Sequence, residues 1–222
     1  MVPSATVSQV VGEIAIFAVP ILAAIIFHEV AHGAVAYALG DPTAARHGRL
    51  TLNPLPHIDP VGTILLPGFL LLAPYLFGTP AFVFGYARPV PVDVRRLGNP
   101  RRDAVLVALA GPVTNLLLAA ASALALAWLP APTGPATLLA GLRRLAGASL
   151  SINCVLAVFN LLPVPPLDGG RVVSALLPEA PRRALRRVEG VSLVVLLFLL
   201  MNTNVVSRLT RPLLAFFLGL AR

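Results

Sequence analysis

Lysine is missing altogether. The seventeen basic residues of this 222-residue chain are all arginine, gathered at the ends of apolar runs: Arg95 and Arg96, Arg101 and Arg102, Arg143 and Arg144, and the group Arg182, Arg183, Arg186 and Arg187. A net charge of +8 laid out in this way reads as membrane topology and headgroup contact, and makes nucleic acid a poor partner. Cysteine is nearly absent too. Cys154 stands alone within an apolar run, which excludes a disulfide within the chain and reads as a small buried residue. Charged residues are scarce, 12% against 57% hydrophobic, with a mean hydropathy of +0.86, far from the make-up of an ordinary soluble domain. No polar loop is long enough to hold a soluble domain, and there is no internal repeat or low-complexity tract. A single membrane-embedded domain over residues 1–222 is the expectation.

Five or six apolar runs can enter or cross a hydrocarbon layer about 30 Å thick. The first, Val10 to Leu39, ends at the helix-stopping Gly40-Asp41-Pro42; the second, Val61 to Phe77, is broken by Gly62, Pro67, Gly68 and Pro74. Ala104 to Leu129 and Leu145 to Leu162 follow, then the shorter Val191 to Met201 and Leu213 to Leu220. The predicted fold is therefore an all-α polytopic membrane protein of five to six embedded helices. Between the second and third runs, FVFGYARPVPVD (Phe82 to Asp93) alternates and is rich in β-branched residues, which predicts a short β or extended segment. The N-terminal run lacks a basic leader and continues straight into FHEVAH, so it is expected to be retained.

Within that first run lie three ionisable residues, His28, Glu29 and His32, in the order H-E-x-x-H. On a helix, positions i and i+4 differ by about 40° of rotation, so both imidazoles project from one face and can grip one zinc ion. Glu29 sits one residue round, where it can take a proton from water polarised by the ion. Ionisable groups in a membrane helix are costly and mark function by default; the plainer alternative is a buried polar network joining helices. Zinc held by two histidines needs a third protein ligand and one open position. Asp168, in NLLPVPPLDGG (Asn160 to Gly170), is the favoured candidate. Three prolines stop the preceding helix there, and two glycines let backbone pack beside the carboxylate. The competing reading makes Asp168 an ordinary N-cap of a helix running to Leu177.

Taken together, HEVAHG, AGPVTN (Ala110 to Asn115) and NLLPVPPLDGG resemble the three signatures of the site-2 proteases, intramembrane zinc metalloproteases. The resemblance extends from Phe27 to about Leu177 and includes GRLTLNPLPHIDPVGT. It implies that His28 and His32 match the zinc-binding histidines, Glu29 the catalytic glutamate and Asp168 the third ligand, with one Zn2+ as cofactor and transmembrane-helix proteins as substrates. Asn115 falls where the family carries an asparagine near the active centre. The chain departs from larger members in lacking any PDZ, CBS or extracytoplasmic insertion.

The site also predicts topology. His28 and His32 lie late in the first run and Asp168 just after the fourth, so these two helices must run the same way to meet at one depth. The segment from Asp41 to Asp103 must then begin and end on one face, which makes Val61 to Phe77 re-entrant or one arm of a hairpin. Twelve of the fourteen arginines up to Arg187 fall on that face, with only Arg143 and Arg144 opposite. The positive-inside bias places the site nearer the cytoplasmic face of the cell membrane and the N-terminus outside.

A substrate helix must unwind before its carbonyls are reachable, and an extended chain can pair with it by edge addition. Pro89 and Pro91 remove donors from one edge of 84–93, leaving the N–H groups of Arg88, Val90 and Val92 on the other expected to bind substrate. Asn115, following Gly111-Pro112, is the candidate for orienting substrate backbone or the oxyanion. The rival class is a non-catalytic zinc scaffold or an ion transporter; a transporter commonly shows paired halves, which this chain lacks. Oligomeric state is silent in the sequence.

Overall fold

The structure is a computed structural model that describes residues 7–77, 85–135, 137–187, 189–202 and 204–221. Nine α-helices occur among the described residues: α1 (Val7–Ala38), α2 (Thr43–Arg46), α3 (Leu66–Phe77), α4 (Pro100–Trp128), α5 (Leu138–Asn160), α6 (Asp168–Leu176), α7 (Glu179–Arg187), α8 (Glu189–Asn202) and α9 (Val205–Leu220). A π-helical turn, Pro60–Leu65, leads into α3, and no strand occurs among the described residues. The all-α expectation therefore stands. Three helices are long and apolar enough to cross a membrane, Ile16–Ala38 of α1, α4 and α5, against the five to six expected; α3, α8 and α9 are apolar but shorter.

Local chemistry sets the ends of the long helices. Gly40 adopts φ 104 at the end of α1, and Asp41 N–H then reaches back to the Ala36 carbonyl at 2.9 Å, a wrap that a side chain in the left-handed region disfavours. At the start of α4, Asn99 accepts from Arg102 N–H while the Asp103 carboxylate accepts from Asn99 N–H at 2.7 Å. This reciprocal cap satisfies two otherwise orphaned donors, and Pro100 fills the first helical position.

The three long helices pack against one another, α6 rests on α4, and α9 rests on α5 and α4. Small residues make the α4–α5 contact close: Ala119, Ala123 and Cys154 are fully buried, with Leu150 and Phe217 of α9 filling the seam. The end of α1 meets the start of α4 through Gly98 N–H to the Leu39 carbonyl and through a cluster of Ala36, Leu97 and Val107. At the opposite end of α4, the Arg143 guanidinium of α5 donates to the Leu126 and Leu129 carbonyls. So α1 and α5 run one way and α4 the other, as convergence of the histidines and Asp168 required.

The excursion through α3 leaves and returns at one place. Tyr86 N–H donates to the Gly62 carbonyl at 3.0 Å, and the Thr63 hydroxyl donates to the Tyr86 carbonyl at 2.9 Å. Residues 85–93 form an irregular strap rather than a strand; the remainder of the predicted β or extended segment, 82–84, lies outside the described residues.

Candidate metal centre

Three buried side chains converge where α1, α4 and α6 meet: His28, His32 and Asp168, exposed by 7%, 3% and 5%. Their nearest donor atoms are His28 Nε2 to His32 Nε2 at 3.0 Å, His28 Nε2 to Asp168 Oδ2 at 3.0 Å, and His32 Nε2 to Asp168 Oδ2 at 3.3 Å. A tetrahedral ion with bonds of about 2.0–2.1 Å holds its ligand atoms about 3.3 Å apart. The triangle already has that size.

The tautomers follow from a hydrogen-bond chain that begins at a backbone carbonyl. Ser149 C=O can only accept, so the Asn153 amide nitrogen faces it at 2.8 Å. That leaves Asn153 Oδ1 to accept from Asn115 Nδ2 at 2.9 Å, and Asn115 Oδ1 to accept from His28 Nδ1 at 2.6 Å. His32 Nδ1 donates to the Val107 carbonyl at 2.7 Å. With each proton on Nδ1, each neutral ring presents an Nε2 lone pair to the centre. Asp168 Oδ2, buried there too, has no hydrogen-bond donor. Three lone pairs facing one another across about 3 Å repel unless a cation sits among them, and two imidazoles with one carboxylate form a donor set that zinc accepts.

Glycines create the room. A Cβ on Gly111 of α4 would lie 2.5 Å from His28 Nε2 and closer still to His32 Nε2, so only glycine lets α4 pass behind both rings. A Cβ on Gly170 would lie 2.5 Å from the Pro165 nitrogen, and one on Gly169 would strike the Leu161 and Leu162 carbonyls. That tight turn brings Asp168 back to the histidines. Asp168 is the first residue inside α6, with Leu167 at the cap and no side-chain cap bond, so its carboxylate serves the centre and not the N-cap. Its second oxygen, Oδ1, meets Arg171 Nη1 at 3.3 Å.

Glu29 lies beside this centre and not in the triangle; its Oε2 accepts from Val90 N–H at 2.8 Å. A cavity of about 890 Å³ opens from Glu29 and His32 past Val90, Val92 and Ala108 towards Arg171, Ser174 and Arg101.

Two sets of expected substrate contacts have partners within the chain. Of the three N–H groups expected to bind substrate, Arg88 N–H donates to the His57 carbonyl at 2.9 Å and Val90 N–H to Glu29, while Val92 N–H is uncommitted among the described residues. The strap is held against its own protein by bonds the proline pattern did not reveal. Asn115, the residue expected to orient substrate backbone or the oxyanion, is fully buried and bonds His28 Nδ1, Asn153 Oδ1 and the Ala24 carbonyl. Sequence reasoning missed Gly111, Val107 and Arg171; the Gly-Pro pair inside AGPVTN was the one available signal for Gly111.

A buried His-His-Asp cluster that could hold a metal ion, with its histidines on the membrane-length α1 and its aspartate on the short α6, fits a membrane metalloprotein. The chain belongs to peptidase family M50, the site-2 protease family: residues 132–202 match that family, and several relatives match over most of the chain. "Putative zinc metalloprotease YwhC" of Bacillus subtilis (strain 168) is 43% identical over 78% of this chain and 74% of its own length. "Putative zinc metalloprotease Rip2" of Mycobacterium tuberculosis (strain ATCC 25618 / H37Rv) is 35% identical over 80% of this chain and 63% of its own, and the Rip2 of Mycolicibacterium smegmatis is 33% identical over 72% and 57%. No solved structure matches the chain.

Proposed function

We propose that this protein is an intramembrane zinc metalloprotease that hydrolyses peptide bonds within or next to transmembrane helices of other membrane proteins. The observation that carries the reading is the convergence of His28 Nε2, His32 Nε2 and Asp168 Oδ2 as three lone pairs in a buried place. His28, His32 and Asp168 would hold the ion. When bound, zinc supplies Lewis acidity towards a carbonyl oxygen and makes water easier to deprotonate. The chain's own residues do the rest. Glu29 takes the proton from the attacking water and passes it to the leaving amine, Asn115 and the Val107 carbonyl keep the two imidazoles in the metal-binding tautomer, and Arg171 steadies Asp168. The cavity beside Glu29 and Val90 receives substrate backbone once it has unwound.

A single catalytic domain over residues 1–222 in the cell membrane fits the shared core of α1, α4 and α5. The return of the strap to Gly62 supports an even number of crossings between α1 and α4, which with the arginine bias puts the site nearer the cytoplasmic face. Zinc-loaded protein incubated with a panel of single-span helices tests the reading. Glu29→Gln should keep its zinc and lose cleavage by about 100- to 10,000-fold, the usual worth of a general base. Cleavage persisting in Glu29→Gln would instead favour a zinc scaffold and a contaminating protease.

A further inference from the structure

Arg49 is 6% exposed, yet among the described residues no carboxylate lies within ion-pair distance of it. A buried guanidinium without a counter-charge is costly. Its two terminal nitrogens donate instead to three backbone carbonyls, Nη1 to Pro56 and Nη2 to Arg88 at 2.6 Å and Pro89 at 3.1 Å, while the buried Nε has no partner among the described residues. Arg88 and Pro89 immediately precede Val90, whose N–H holds Glu29.

The rest of the strap is pinned on both sides of this point. Tyr86 and Arg88 donate to Gly62 and His57, and Asp93 N–H donates to the Asp41 carboxylate at 2.7 Å. Gly33, one turn beyond Glu29 on α1, leaves room for the Val90 side chain, since a Cβ there would lie 2.9 Å from Val90 Cγ1. Burial and the nearby charge of Arg88 weaken proton binding by Arg49, while the charge of Glu29 opposes them, which places Arg49 and Glu29 in one electrostatic neighbourhood.

We infer that Arg49 is a positioning residue for the proteolytic reaction: by clamping the Arg88 and Pro89 carbonyls it delivers the Val90 N–H to Glu29 Oε2, fixing one carboxylate oxygen so that the other is free to accept the proton. This rests on Glu29 being the general base. A glutamate carboxylate hanging from a helix by three rotatable side-chain bonds gains its catalytic orientation from such a fixed donor. A planar guanidinium that spans several carbonyls at once suits the clamp better than an ammonium. The bridge joins a loop from 49 to 57 to the first helix through one backbone amide.

The test uses Arg49→Met, Val90→Pro and the double variant in the full-length protein, beside Glu29→Gln. Val90→Pro deletes the donor, Val90→Ala beside it accounts for the side chain lost from the space over Gly33, and the proline neighbours on both sides already bias that stretch to extended chain. Two readouts are taken: kcat and KM on a single-span transmembrane peptide that the wild type cleaves, and the carboxylate stretch of Glu29 in metal-free protein, isolated by 13C-glutamate labelling and subtraction of the Glu29→Gln spectrum. Both single variants should shift the Glu29 band and lower kcat by about 10- to 100-fold, the range for groups that orient a catalytic residue. KM and zinc content should stay near wild type, and the double variant should be no worse than either single one, because all act through one hydrogen-bond chain. An unmoved band with wild-type kcat in Val90→Pro, or losses that multiply in the double variant, overturns the inference. Should Arg49→Met fail to fold, Val90→Pro decides by itself. Wild-type turnover in Val90→Pro beside an inactive Glu29→Gln would sink only this inference, whereas activity in Glu29→Gln would sink the function it rests on.

Discussion

His28 Nδ1 lies 2.6 Å from Asn115 Oδ1, although 87 positions separate the two residues. One is on α1 and the other on α4, and the bond makes the orientation of a candidate metal ligand depend on a second helix. It continues through Asn153 to Ser149 on α5, so all three long helices share one polar thread that sets the ring's tautomer.

Asn115→Ala cuts that thread. The His28 ring loses its fixed acceptor and can turn its protonated nitrogen towards the centre, so zinc affinity should fall by about 10- to 100-fold. Competitive zinc titration of detergent-purified protein against a chelator of known affinity measures it; an unchanged affinity would mean that the His28 tautomer is set elsewhere.

Gly111→Ala should remove zinc binding while leaving the helix intact. Alanine favours a helix interior by about 1 kcal/mol over glycine, yet its methyl would press into both imidazoles at the 2.5 Å approach to His28 Nε2. Helical content by circular dichroism should therefore hold, and zinc per chain should fall well below one.

Much of this was readable beforehand. H-E-x-x-H needs only helical periodicity to bring His28 and His32 to one face, and the Pro-rich approach to Asp168 marked a carboxylate placed for something other than capping. The direction of α1, α4 and α5 followed from the need for those ligands to meet. What stayed hidden were relations no local pattern encodes. Arg88 and Val90 looked free because proline spacing describes one edge of a chain, not what already covers the other. A polar residue after Gly-Pro likewise says nothing of its partners, which for Asn115 are His28, Asn153 and the Ala24 carbonyl. Of the five to six embedded helices expected, three have spanning length, while α3, α8 and α9 are apolar but only 12, 14 and 16 residues long, about 18–24 Å at 1.5 Å per residue, against a core of about 30 Å.

Asp41, between α1 and α2, gives a stability signature with pH. Burial opposes its ionisation, but the Thr43 hydroxyl, the Asp93 N–H and the Thr43 N–H all donate to it and hold its carboxyl below the ordinary value. A depressed folded value means the stabilisation is present above the unfolded value, about 3.9, and is lost as pH falls through the folded one. Asp41→Asn should be less stable than wild type by about 1–3 kcal/mol near neutrality. Thermal unfolding in detergent should show that gap closing as the medium is acidified below about pH 4.

Asp168→Asn separates ligand from scaffold. An amide keeps the shape and the turn formed by Gly169 and Gly170 but loses the negative charge between the two histidines. Zinc binding should weaken by at least about 10-fold and cleavage should fall with it, recoverable in part by excess zinc. Full activity at one zinc per chain would show that the carboxylate is not a ligand.

X-ray absorption at the zinc edge of the purified, zinc-loaded protein reports most directly on whether these three residues share one ion. The account predicts one zinc per chain with two imidazole nitrogens and light oxygen donors at about 2.0–2.1 Å, and loss of that spectrum in a His28→Ala, His32→Ala double variant. A sulfur shell at about 2.3 Å, fewer than two imidazoles, or an unchanged spectrum in the double variant would contradict it.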